Sequence, residues 1–246
     1  MIKKNLKLII FLAIFGLVGG YFTALYTIDS LDQAMIDEAL AQIGSIEVLI
    51  VVITLQSLIY AVALGFVGKI IAERIGLWRK ITFESKPLIY TAVASIIGGM
   101  IFILADVFIF GKFIPAVMES YLSKPTISYI IASITYGGVV EEVMLRLFFM
   151  SLIAFVISKL SKGKAVTDTH LIIANAISSL LFAAGHIPGT VMMIGISPII
   201  IFRCFLMNGG FGLIFGRMYR KYGIQYAMLT HAGVHIISKL IWLIFI

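Results

Sequence analysis

Six residues hold the first chemical interest in this chain: Glu141-Glu142-Val143-Met144-Leu145-Arg146, inside an apolar run from Ile127 to Leu160. Each charge placed at the middle of a membrane helix costs about 2.5–3.5 kcal/mol, so three in six residues must face protein or water rather than lipid. Glu142 and Arg146 stand four apart and share a helix face, where they can pair. Glu141 is rotated by about 100° and is left over. Three histidines in other apolar runs add imidazoles: His186 follows Phe182-Ala183-Ala184-Gly185, and His231 and His235 stand one turn apart. Carboxylate and imidazole are the groups best suited to moving protons near neutral pH. A single membrane histidine usually just bridges helices. Three of them with a glutamate pair shift that balance, whereas His170 reads as an interfacial residue.

No nucleophile stands out. Gly-x-Ser-x-Gly is missing, Ser151, Ser179 and Ser197 lie in no distinctive setting, and the one cysteine, Cys204, reads as a small buried hydrophobe. That favours attack by an activated water, polarised by a Glu and a His, with imidazole N–H groups opposite a developing oxyanion. The alternative is a divalent metal such as zinc, bound by His186, His231 and His235 with Glu141 as ligand or base. The His-x-x-x-His spacing permits this but lacks the Glu that marks His-Glu-x-x-His enzymes, so the metal-free form is preferred and zinc is kept beside it.

The elements that must position these groups are apolar helices. Of 246 residues, 61% are hydrophobic and 13% charged, with a mean hydropathy of +1.10. These values indicate a polytopic, all-α transmembrane bundle, and the long unbroken apolar runs exclude a β-barrel. Spans are expected over 6–28, 48–72, 88–110, 127–157, 169–186 and 225–246. Residues 190–217, interrupted by Pro198 and Gly209-Gly210, form one broken span or two short ones, giving seven to eight in all. The acidic stretch 29–46 is an external loop or a short interfacial helix. With seven spans, fourteen of the 19 Lys and Arg residues fall on one side, among them Lys3, Lys4, Lys7, Lys162 and Lys164. By the positive-inside rule this is the cytoplasmic side, so the N-terminus is cytoplasmic and the protein sits multi-pass in the cell membrane. The same rule accounts for the +7 net charge, and no nucleic-acid partner is expected. Gly137-Gly138 allows close backbone approach or a kink. His186, late in its span, and His231, early in its own, meet only if the fifth span begins deeper than Thr169 or the Pro188 region folds back.

Glu-Glu-x-x-x-Arg, then Phe-x-x-x-His, then His-x-x-x-polar, each on its own membrane helix and in this order, resembles the CPBP family, the CAAX-protease and bacteriocin-processing (Abi) intramembrane endopeptidases. The matches are Glu141, Glu142 and Arg146; Phe182 and His186; His231 and His235. The resemblance implies a helical bundle with catalytic groups in a cavity opening to the cytosolic side. It implies Glu141 with His186 activating water, His231 and His235 holding the oxyanion or a metal, and Glu142 with Arg146 buttressing the site. It divides a single membrane domain into N-terminal helices (1–126) and a catalytic core (127–246). Prenyl-protein proteases commonly carry Asn where this chain has His235, which counts against prenylated substrates. A membrane-associated peptide or protein, such as a bacteriocin or pheromone precursor, is expected instead, with membrane lipids as the other partner. The competing reading is a non-catalytic scaffold or bacteriocin-immunity protein. A proton-coupled carrier is a third, disfavoured because no internal repeat is found.

Overall fold

The computed structural model describes residues 2–161 and 165–246, with side chains from Asn5 onward. Lys162 and Lys164, and the side chains of Lys3 and Lys4, lie outside this set. The described chain is an all-α bundle. Seven of its helices are long and apolar enough to cross a membrane: Asn5–Ser30, Ile46–Arg74, Ser85–Lys112, Ile127–Leu160, Asp168–Ile194, Pro198–Tyr222 and Ile224–Phe245. The stretch after the first span carries a short helix, Gln33–Ile43, N-capped by Asp32.

Local sequence explains the helix ends. Thr126, Thr167 and Ser197 each accept a hydrogen bond from a backbone N–H in the first turn of the fourth, fifth and sixth spans. Pro198 opens the sixth span, where its missing N–H costs nothing. Gly223, at φ 113°, turns the chain directly from the sixth span into the seventh. The interrupted run 190–217 therefore resolves in an unforeseen way. Its first residues continue the fifth helix to Ile194, and the rest is a single sixth crossing.

The fourth span is not an ordinary α-helix. Ser133–Glu141 and Val143–Met150 are π-helical, with hydrogen bonds to the fifth residue back, and Glu142 is the junction. Ser133 and Thr135 turn their hydroxyls onto the carbonyls of Tyr129 and Ile131, one turn earlier. Such side chains compete with the backbone ladder just where it widens. π-segments recur at functional sites, and one also occupies Phe205–Gly209 of the sixth span.

Small residues let the spans meet. A Cβ on Gly138 would stand 3.0 Å from the Ala232 Cα, and one on Gly99 2.6 Å from Ile237. Those contacts lock the seventh span to the fourth and the third. Large apolar side chains such as Ile89, Ile97, Val51 and Leu180 remain exposed on the bundle's flanks, as a lipid-facing surface requires. The end of the bundle near Arg217, Arg220 and Lys221 is packed tight. Leu147, Met150, Phe215, Tyr219 and Tyr226 are buried there, and Ser151 and Tyr219 share a hydrogen bond of 2.9 Å. The Tyr226 hydroxyl donates to the Thr82 carbonyl and accepts from the Glu84 N–H, tying the connection after the second span across this end.

Gly138→Ala should push the fourth and seventh spans apart and destabilise the protein by about 1–3 kcal/mol, as overpacking does. Gly185→Ala, with open space at that position, should cost much less. Thermal unfolding in detergent compares the two.

Candidate active site

The junction at Glu142 sends neighbouring carboxylates in opposite directions. Glu142 points into the packed interior, its side chain 0% exposed. Glu141 points into a cavity of about 810 Å³, with its side chain 18% exposed. Glu142 has two partners. Its Oε2 lies 3.4 Å from the Arg146 Nε, and its Oε1 accepts from the His231 Nδ1 at 2.9 Å. The Arg146 guanidinium lies over the Phe182 ring at 4.5 Å and near the Phe215 ring at 5.6 Å. Cation–π contacts of this kind are strongest in dry surroundings. Phe215 also stacks on His231, with centroids 4.3 Å apart. The pairing of Glu142 with Arg146 expected from spacing is present, and Phe182 belongs to the same assembly.

His186 sits where the fifth helix breaks. Its N–H turns to the Ala183 carbonyl, three residues back, and Pro188, lacking an N–H, follows. The Phe182 carbonyl accepts from the His186 Nδ1 at 2.8 Å instead. A carbonyl can only accept, so Nδ1 carries the proton and Nε2 bears the lone pair. That Nε2 stands 3.8 Å from the Glu141 Oε1. The distance is too long for a direct bond and suits a small molecule held by both groups.

His231 and His235 also line the cavity, their rings 5.0 Å apart. The expected difficulty of bringing His186 and His231 together is removed in the Pro188 region, not by a deeper start: the fifth span begins at Asp168 and resumes as helix after its break at His186. The helix continues eight residues beyond His186, roughly 12 Å, so that histidine lies well inside the bundle. The Phe182 ring bridges the two imidazoles at 4.7 and 5.7 Å.

Three features add to the residues named from sequence. Lys239 is buried and points its ammonium at the His235 Nδ1, 3.4 Å away, while lying 4.1 Å over the Tyr129 ring. A lysine ammonium can only donate, so His235 accepts at Nδ1 and carries its proton on Nε2. Its position four residues after His235 was the available signal. Gly137 forms the floor between Glu141 and His235: a Cβ there would stand 3.3 Å from the His235 Nε2 and 3.8 Å from the Glu141 Oε2. Further along the cavity, Arg203 holds Asp106 through both carboxylate oxygens, one contact being 2.7 Å, and the Tyr121 hydroxyl donates to the same carboxylate at 3.0 Å. Burial, then the adjacent Asp106, raises the Tyr121 phenol well above its usual range and keeps it a donor. A single acidic residue in the third span and a single basic one early in the sixth could have suggested the pair.

The donor set is mixed for a metal. His186 and His231 each have Nδ1 engaged by an acceptor and Nε2 free, as ligating imidazoles do. His235 has the opposite tautomer and an ammonium neighbour. Among the described residues no three His, Cys, Asp or Glu side chains are grouped to hold one ion. The four residues named from sequence share a cavity.

Arg146→Ala should cost about 3–5 kcal/mol, because it leaves Glu142 buried without its cation. Replacing Glu142 and Arg146 together with Leu and Met should cost less than Arg146→Ala alone. It still leaves the His231 Nδ1–H without its acceptor, a penalty of about 1–3 kcal/mol. Unfolding midpoints of the three proteins order these effects.

The model of a family described as type II CAAX prenyl endopeptidase Rce1-like matches residues 122–237. No curated protein and no solved structure matches the chain. The matched segment contains Glu141, Glu142, Arg146, Phe182, His186, His231 and His235, and over residues 122–237 the chain matches the Rce1-like CAAX-protease family.

Proposed function

We propose that this protein is an intramembrane endopeptidase that hydrolyses a peptide bond of a membrane-associated peptide or protein with a water activated by Glu141 and His186. The observation that carries the reading is the facing of two proton acceptors, the Glu141 carboxylate and the His186 Nε2, across 3.8 Å at the wall of a large cavity. A water between them gives one hydrogen bond to each and turns a lone pair outward. Glu141 takes a proton as that lone pair attacks the peptide carbonyl, and returns it to the amine that leaves. Hydrolysis then balances: water supplies the hydroxyl to the new carboxylate and the proton to the new amine.

The oxyanion needs N–H donors. His235 supplies one from Nε2, its tautomer set by Lys239. Neutral His231 offers a lone pair at Nε2, because Glu142 engages its Nδ1–H. It donates only as an imidazolium, with Glu142 as counter-ion. Glu142 and Arg146 therefore act through His231, and Phe182 through its carbonyl to His186. The reading is metal-free because Lys239 at Nδ1 leaves the His235 Nε2 carrying a proton, without a lone pair for a metal. A zinc version would rest on His186, His231 and Glu141, with a reoriented His235. The protein is multi-pass in a membrane, which the reading takes as the cell membrane with a cytoplasmic N-terminus. Residues 127–246 form the catalytic core, and Tyr26 and Asp106 of the N-terminal helices help to line its cavity.

Glu141→Gln keeps the shape and removes the base. It should lower cleavage by about 10²–10⁴-fold with unfolding unchanged. Mass spectrometry of membrane peptides from cells making either protein would show a product with the wild type alone. A scaffold or immunity protein would work equally well with Gln. His235→Asn keeps a donor and should retain activity within about tenfold, whereas His235→Leu should lose about 10²–10³-fold. Stoichiometric zinc in the purified protein, with a dead His235→Asn variant, would establish the metal version instead.

A further inference from the structure

The cavity has a direction, and charge gives that direction a meaning. Its lining in the fourth span ends at Leu145, and in the sixth at Phe215; it begins only at Leu181 in the fifth span and at His231 in the seventh. Every one of these limits leaves the lining on the same half of the bundle. Its rim includes Ser30, at the end of the first span, and exposed Ser120, Ser123 and Lys124, between the third and fourth. At the opposite end the way is shut by the buried layer of Arg146, Leu147, Met150, Phe215 and Tyr219 and by the Tyr226–Thr82 tie.

The closed end is the basic one. It carries Arg74, Arg79, Lys80, Lys86, Lys159, Arg217, Arg220 and Lys221 against Glu73, Glu84 and Asp168, whereas the open end has Lys112 and Lys124 among Asp29, Asp32, Asp37, Glu38, Glu47 and Glu119. Lys and Arg in short loops fix orientation, and acidic residues contribute little.

We infer that the cavity opens away from the cytoplasm, and that its substrate is a peptide segment presented from the outer face of the membrane. This rests on the endopeptidase reading for the word substrate, but not for the orientation. It reverses the cytosolic opening that the family resemblance implies. It also restricts the substrate class to segments already translocated or seated in the outer leaflet, and removes cytosolic chain ends from reach. The lining suits an apolar peptide with a polar element: Tyr26, Phe102, Tyr129 and Trp242 surround the passage, with Arg203 and Asp106 as its charged pair.

Cysteine labelling tests the orientation. Cys204 is fully buried and serves as the silent background. In cells making Ser123→Cys or Lys80→Cys, a membrane-impermeant maleimide should label the rim cysteine in intact cells and the Lys80→Cys protein only after permeabilisation. Labelling of Ser123→Cys only after permeabilisation, or of both positions in intact cells, overturns the inference. The same pattern is expected with Glu141→Gln added, because orientation does not depend on activity; failure of proteolysis and failure of orientation are thus read separately. A membrane-anchored reporter should be cut by the wild type when its cleavable segment lies outside. Cutting only when that segment lies in the cytoplasm also overturns it.

Discussion

A single buried carboxylate holds the site together. Glu142 accepts the charge of Arg146 on one oxygen and the N–H of His231 on the other, with no exposure to solvent. In such a place an ion is tolerated only if its partners are fixed, and fixing them determines the rest. Arg146 must lie across Phe182, which brings the fifth span against the fourth. His231 must lie against Phe215, which brings the sixth span against the seventh. Four helices are registered by one charge. The neighbouring Glu141 is left facing the cavity, partly exposed, because Glu142 has taken the structural duty.

The π-helical turns serve the same end. A regular α-helix would carry residues 141 and 142 about 100° apart and leave the backbone ladder closed around them. Widening on both sides of Glu142 re-aims the flanking side chains, with Gly137 and Gly138 making room for the imidazole and backbone of the seventh span. Strain of this sort persists only where tertiary contacts impose it, and the close contact at Ala232 is one such restraint.

Much of this was readable from the sequence, for identifiable reasons. Spans announce themselves because lipid tolerates few charges, and the order of the three motifs needs no three-dimensional knowledge. The Glu142–Arg146 pair followed from helical spacing. The His231–Glu142 bond did not, since it depends on how the fourth and seventh spans slide past one another, which apolar runs leave undetermined. The π-segments were invisible because apolar composition is the same at either winding. The sixth crossing was misdivided at Thr190, where Pro188 suggested an ending and the helix instead broke and resumed. Asp106, Arg203 and Lys239 were passed over because each looked isolated along the chain. Their partners are 97 residues away in the first case and one turn away in the last.

The closed end of the bundle also bears on bioenergetics. Carboxylates and imidazoles strung across a bilayer make a proton wire, and a wire would short-circuit the gradient on which a cell runs. Here the titratable string ends at Arg146. Among the buried neighbours beyond it are Leu147, Met150 and Phe215, the Ser151 and Tyr219 hydroxyls are committed to each other, and the Ser179 hydroxyl donates to the Asn175 side chain. Past Arg146 no further carboxylate or imidazole is buried among the described residues at this end, so the packed layer works as insulation between the cavity and the basic end of the bundle.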